Sequence, residues 1–430
     1  MDNYELAKIK KRINSLIRRK LLSGKRIILF GASAASKEVK RILLDNGLRP
    51  DAVIDNDKRK LGKYCFGLTV QTPEAVIEPF DDSTSILIYS ASYYKEITLQ
   101  LNKMGYETDK HVFCLNLKGD ERASLFLYTL GRMSRGWLAY LRLTLKYSRN
   151  HVLFLAPYAG TGDIYLSGLF LEQYLKSKNI KEYIFVVVSG ACRKTSEIFG
   201  IENIEVLSST IVDDIINCNR AFSLGWRIVI LNDGWMNERT QWIRGYKGLS
   251  FDRMFRYFVF ELDESVSYQL PLYLNSQREG LILLEKYRLL PGRTVVLSPY
   301  SNTLLELPDD FWKRTAERLK GLGYSVCTNS SGANEPAIED TTLVYFPLGQ
   351  AVDFMNAAGF FIGVRSGLCD IISASSCKKI VLYEKDGVFF RGSPFEYFSL
   401  KKIGLCIDAL ELEYSRDTES ACLEMMLGLF

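Results

Sequence analysis

Three times along this chain an apolar strand runs into a turn of small residues and then into a helix. The first is RIILF followed by GASAAS at residues 26–36, the second is HVLFLAPYAGTGDIYLSGLFLEQYL at 151–175, and the third is FFIGVRSGLCDIISASSCKKIVLY at 360–383. The strands are continuous apolar runs rather than alternating ones, so both faces must be covered, and a parallel sheet with crossover helices does that. In such sheets ligands lie outside the carboxyl ends of the strands, where these turns sit. With 430 residues the chain exceeds one ordinary core, so several domains are expected.

Composition narrows the chemistry. Hydrophobic residues make up 47% and charged residues 24%, the balance of a soluble globular protein. No apolar run reaches the roughly 18–20 residues that cross a bilayer, and the start MDNYELAKIKKR lacks the apolar centre of a signal peptide, so a cytoplasmic location is expected. Nine cysteines are scattered without a CxxC pair and read as reduced core thiols. His111 and His151 are the only histidines, which leaves general-base work to carboxylates. No cofactor and no metal are expected; the Asp-Asn-Asp turn at Asp55 belongs to the first repeat.

Charge is uneven despite a net +5. Between residues 6 and 22, Leu6, Ile9, Ile13, Leu16, Ile17 and Leu21 follow helical spacing, with lysines and arginines on the other faces. Residues 122–149 repeat the pattern, with Arg132, Arg135, Arg142, Lys146 and Arg149 among Trp137, Tyr140, Leu141 and Leu145. Two readings stand: helices that pack on the domains and turn a basic face to water, or a peripheral attachment to an anionic inner-membrane surface. Nucleic acid is not expected as a partner, because no recognition motif accompanies the charge.

The expected organisation is a basic amphipathic helix at 1–24, a Rossmann-like domain at 25–118, a basic and aromatic helical linker at 119–150, and two further doubly wound domains at 151–285 and 286–430. The fold class is α/β with three Rossmann-like units. In the first, the turn at Gly31 is a weakened dinucleotide fingerprint, since Ser33 and Ser36 stand where the second and third glycines would be. Asp55 lies 24 residues after Gly31, at the end of the next strand, where an acid can accept from ribose hydroxyls. Gly31, Ser33 and Asp55 therefore form an accessory nucleotide site, or remain a retained fold without ligand. The stretch VIDNDKRKLGKYCFGLTVQTPEAV resembles small nucleotide-binding-like domains of bacterial sugar acyltransferases and surface-polysaccharide enzymes, over roughly residues 25–117.

Residues 151–400 resemble the heptosyltransferase-like bacterial glycosyltransferases of the GT-B type, in which two doubly wound domains face each other across a cleft. The likeness rests on GTGDIYLSGLFL, on LSPYSNTLLELPDDFWKRTAERLKGLGYSV, on TNSSGANE, and on VRSGLCDIISASSCKKIVLY. In the last, Arg365 and Asp370 replace the Asp and His of the family's pattern; the loop between Ser301 and Pro308 lacks the family's frequent basic residue. The resemblance implies transfer of a sugar from a nucleotide-sugar donor to a glycan or lipid-linked acceptor in surface polysaccharide or capsule assembly, with inversion and without a required metal. It implies Asp163 as catalytic base.

The residues themselves suit those roles. Asp163 opens a helix at the mouth of a strand, and a plain helix-capping role is its alternative. Ser366, Gly367 and Leu368 begin a second helix, where amides and Arg365 can meet a diphosphate. Ser301, Asn302 and Glu335 are further donor-side candidates in polar turns. Thr161, Gly162, Asp233, Trp242 and Arg244 are acceptor-side candidates. A different class also fits, a non-catalytic sugar-nucleotide sensor or scaffold with degenerate sites. An oxidoreductase or epimerase built on the first domain fits less well, because its turn lacks the glycines and no Tyr-x-x-x-Lys follows the later strands.

Overall fold

The computed structural model describes residues 3–65, 68–90, 93–116, 122–147, 150–224, 227–231, 250–273, 277–301, 307–332, 335–385 and 393–430. It divides into two compact units, Met1–Thr129 and Leu130–Phe430.

The first unit holds β1 (Arg26–Phe30), β2 (Ala52–Ile54), β3 (Tyr64–Cys65), β4 (Leu68–Gln71), β5 (Thr84–Ile88) and β6 (Val112–Cys114), in the order β3-β4-β2-β1-β5-β6. All neighbours are parallel except β3 and β4, an antiparallel edge pair that the sequence reading does not contain. Strands this short carry no periodicity of their own, and pairing decides them. Helix Asn3–Arg18 packs on helix Ala34–Leu44, and its Ile9, Ile13 and Leu16 are fully buried. Its apolar stripe is thus covered within the unit, while Lys10, Lys11, Arg18 and Arg19 face solvent.

The second unit contains two sheets. The first orders β7 (Val152–Leu155), β8 (Tyr183–Val187), β9 (Ile204–Val206) and β10 (Ile228–Ile230) as β10-β7-β8-β9. The other orders β11 (Thr294–Ser298), β12 (Ser325–Asn329), β13 (Thr342–Val344), β14 (Gly359–Val364), β15 (Lys378–Glu384) and β16 (Leu410–Tyr414) as β13-β12-β11-β14-β15-β16. Every pairing in both is parallel. In chain order the six strands run 3-2-1-4-5-6, so the winding reverses between β11 and β14. In the four-stranded sheet it reverses between β7 and β10. These reversals leave crevices at the strands' carboxyl ends.

The two sheets share a continuous core. One buried cluster joins Phe154 and Phe185 beneath the first sheet to Val296, Phe361 and Tyr383 of the second, through Leu166, Phe170, Leu368 and Ile372. Helix Thr161–Ser177 runs through it, and all of its residues from Ile164 to Leu171 are buried, which explains why its sequence is apolar on every face.

Helix Arg122–Lys146 is more than a connector from residue 130 onward. Leu143 joins Leu153, Leu155 and Ile215 in a second core cluster, and the Nε atoms of Arg132 and Arg135 reach the fully buried Asp214 at 2.5 and 2.9 Å. Leu130, Trp137, Leu138 and Leu145 of this helix are exposed. Among the described residues no helix is long and apolar enough to cross a membrane.

Candidate active site

A cavity of about 700 Å³ opens at the carboxyl ends of both sheets of the second unit, a volume suited to a small-molecule ligand. One wall comes from the turns after β7 and β8, with Gly160–Asp163, Ala191 and Lys194. The other comes from the ends of β11, β12 and β14, with Ser298, Ser301, Asn329–Ser331 and Arg365–Leu368. The carboxyl ends of both sheets therefore open into one space.

On the first wall Gly160 is the N-cap of helix Thr161–Ser177 and has no side chain with which to cap it. Asp163 sits in that first turn, and its carboxylate folds back over Gly160: a Cβ added there would lie 2.6 Å from Oδ2. A helix N-terminus favours negative charge at this spot. The carboxylate lines the cavity beside Thr161 and Gly162.

The second wall is polar and cross-braced. Ser301 Oγ donates to the Arg365 carbonyl at 3.3 Å, joining the ends of β11 and β14 across the reversal. Glu335 accepts from the Ser331 amide at 2.6 Å and shapes the turn after β12. Ser366 is the N-cap of helix Gly367–Ile371, but its hydroxyl makes no capping hydrogen bond.

The two walls touch at their glycines. A Cβ on Gly367 would stand 2.3 Å from the Gly162 nitrogen and 2.3 Å from Thr161 Oγ1, and a Cβ on Gly162 would stand 2.8 Å from Asp370 Oδ2. Only a residue without a side chain permits this approach. Gly162 and Gly367, expected on the acceptor and donor sides respectively, therefore meet at the floor of one cavity.

Arg365 and Asp370 form a buried ion pair. Nη2 donates to Oδ1 at 2.5 Å and Nη1 to Oδ2 at 3.0 Å, with side-chain exposures of 7% and 2%. Two more donors are taken by backbone, Nε by the Phe398 carbonyl and Nη1 by the Ser366 carbonyl. Burial lifts the Asp370 carboxyl above the ordinary carboxylate range, and the adjacent guanidinium opposes that lift. Arg365, expected at a leaving diphosphate, lines the cavity with its charge already balanced.

Leu368 lies on the cavity wall. Asn302, Asp233, Trp242 and Arg244 lie outside the described residues. Sequence reasoning missed Lys194, Tyr300, Tyr345, Phe251 and Phe398, which also line the cavity. Tyr300 lies two residues past the end of β11 and was within reach of the strand-end rule; Phe251 and Phe398 come from distant segments that only the fold brings together.

In the first unit the Gly31 turn binds itself. Gly31 adopts φ +116°, Ser33 accepts from the Ala35 amide, and Ser36 Oγ accepts from the Ser33 amide, completing a reciprocal cap. Asp55 Oδ2 accepts from the Ala32 amide at 2.7 Å and from Lys60 Nζ at 2.8 Å. The three accessory-site residues thus stand together, with these groups engaged in holding the turn.

Residues 23–112 match the family described as C2185-like, N-terminal. No curated protein matches the chain. Among solved structures the chain is similar to the glycosyl transferase family 9 protein from Veillonella parvula, at 14% identity over 64% of this chain and 89% of that chain, with a TM-score of 0.43. It is also similar to the E. coli ADP-heptose lps heptosyltransferase II, at 13% identity over 65% of this chain and 98% of that one, with a TM-score of 0.44. The E. coli heptosyltransferase WaaC with ADP is similar at 11% identity over 64% of this chain and 99% of that one, with a TM-score of 0.41.

Proposed function

We propose that the second unit is a nucleotide-sugar glycosyltransferase acting by direct, inverting displacement on a glycan or lipid-linked acceptor in surface polysaccharide assembly. The observation that carries this reading is the cavity shared by two doubly wound sheets, with the carboxylate of Asp163 on one wall and the polar strand ends of β11, β12 and β14 on the other. Nucleoside and diphosphate would take the second wall, where Glu335 offers a carboxylate to ribose hydroxyls and Ser366 offers a hydroxyl that caps no helix amide. The acceptor would enter from the side of Thr161 and Gly162.

In the reaction the acceptor hydroxyl attacks the anomeric carbon on the face opposite the diphosphate. Asp163 takes the hydroxyl proton, the new C–O bond forms, and the bond to the diphosphate breaks with its electron pair leaving on the nucleotide. Metal-independence and the absence of a cofactor belong to this proposal. An anionic membrane surface as the place where a lipid-linked acceptor is met is supported by the exposed stripe of Trp137, Leu138 and Leu145 beside the exposed Arg142.

The test is nucleotide release from a panel of UDP-, GDP- and ADP-sugars, in the presence of membrane-derived and free glycan acceptors. Asp163→Asn is expected to lower turnover by about 10²–10⁴-fold while donor affinity stays within a few-fold. Full turnover by a folded Asp163→Asn protein would sink the base assignment. Donor binding by the wild type with no turnover on any acceptor would favour the non-catalytic sensor instead.

A further inference from the structure

A leaving diphosphate needs positive charge beside it, and the described residues of the cavity supply little. Arg365 is paired with Asp370, and four of its five N–H groups go to that carboxylate and to the Phe398 and Ser366 carbonyls. The loop that follows Ser301 reads Asn-Thr-Leu-Leu-Glu and adds no cation. Asp163 and Glu335 contribute negative charge to the same walls. Among the described lining residues this leaves Lys194 as the one cation without an ion-pair partner.

Its placement fits the task. Helix Gly190–Glu197 starts at the carboxyl end of β8, capped by Ser189, whose side chain accepts from the Cys192 amide. Ala191 and Lys194 stand one helical turn apart and both line the cavity. The adjacent Arg193 is engaged with Glu197 at 2.8 Å, so the two basic neighbours have separate duties. The helix packs on Leu348–Gln350, so the Ala191 and Lys194 part of the lining lies next to the part formed by Leu348.

We infer that Lys194, from the sheet opposite the donor wall, binds the diphosphate of the donor and stabilises it as it leaves. This rests on the proposed transferase reading. The half of the unit that carries the base then also supplies the cation, so both charges stand on one wall.

The experiment is calorimetric titration of the full chain with UDP, GDP, ADP and CDP and with the matching nucleosides, for wild type, Lys194→Ala and Lys194→Arg. For the diphosphate that the wild type binds most tightly, Lys194→Ala is expected to weaken binding roughly tenfold or more, the scale of one charge-assisted contact. The matching nucleoside should bind within about twofold of wild type, and Lys194→Arg should recover most of the loss. Unchanged diphosphate affinity in Lys194→Ala, or an equal loss for nucleoside and diphosphate, overturns the assignment. A wild type that binds none of the four diphosphates overturns the transferase reading itself, and the inference with it.

Discussion

Arg365 and Asp370 stand five residues apart on opposite sides of a glycine turn, and each would be untenable alone. A single buried charge costs several kcal/mol, whereas the bidentate pair also fills the carbonyls of Ser366 and Phe398. Both residues depart from the pattern of the family that the sequence resembles, and the structure shows one departure answering the other. At the same turn Gly367 carries the approach between the two walls. Gly367→Ala puts a methyl 2.3 Å from backbone nitrogen, which rotamer changes cannot relieve. Loss of about 1–3 kcal/mol is expected, read as a lower urea midpoint at unchanged slope. An alanine variant as stable as wild type would mean that the two walls do not meet there in solution. The glycine was legible in the sequence, but as a phosphate turn; its contact with Gly162 was not, because 205 residues separate them.

Among the elements, helix Arg122–Lys146 takes the first of its two sequence readings and packs on a domain. Basic and aromatic residues suggested a linker, yet Arg132 and Arg135 converge on Asp214, and Gly136 lets the helix close on helix Ser209–Phe222, where an added Cβ would lie 2.2 Å from the Asp214 carbonyl. A chain that starts at Ser148 would leave Asp214 buried without either guanidinium. It should be less stable than one that starts at Leu130 by about 3–5 kcal/mol, measured by urea unfolding. Equal stabilities would return the helix to the role of a connector. The strands, by contrast, were legible to within a residue or two: RIILF, YIFVV and TVVLS each become a strand because a run of that composition has no stable exposed face. The edge pair β3–β4 and the outer strand β16 were not read. Leu410–Tyr414 alternates Leu and Glu, a half-exposed pattern that only its place at the sheet edge explains.

For the whole molecule, the proposed membrane contact would fall on residues left outside the cores. The N-terminal helix uses its apolar stripe inside the first unit, so its lysines face water without an apolar anchor. Helix Arg122–Lys146 keeps Leu145 at 86% and Leu138 at 53% exposure, with Trp137 at 49%. The full chain should sediment with vesicles rich in phosphatidylglycerol and stay free of phosphatidylcholine vesicles, and Trp137→Glu with Leu145→Glu should abolish the difference. Retained binding by that double variant would move the contact elsewhere.

Residue pattern was enough to assign parallel, doubly wound sheets, because unbroken apolar strands joined through small-residue turns to helices are covered on both faces in that arrangement. It also marked the strand ends where Asp163, Ser301 and Ser366 stand, since that is where such sheets leave a crevice. Tertiary structure alone decided that Gly162 and Gly367 touch, that Arg365 is neutralised while Lys194 is not, and that Asp214 ties a helix to its sheet. Those outcomes depend on distances between segments far apart in the chain, and local residue pattern carries no information about such distances.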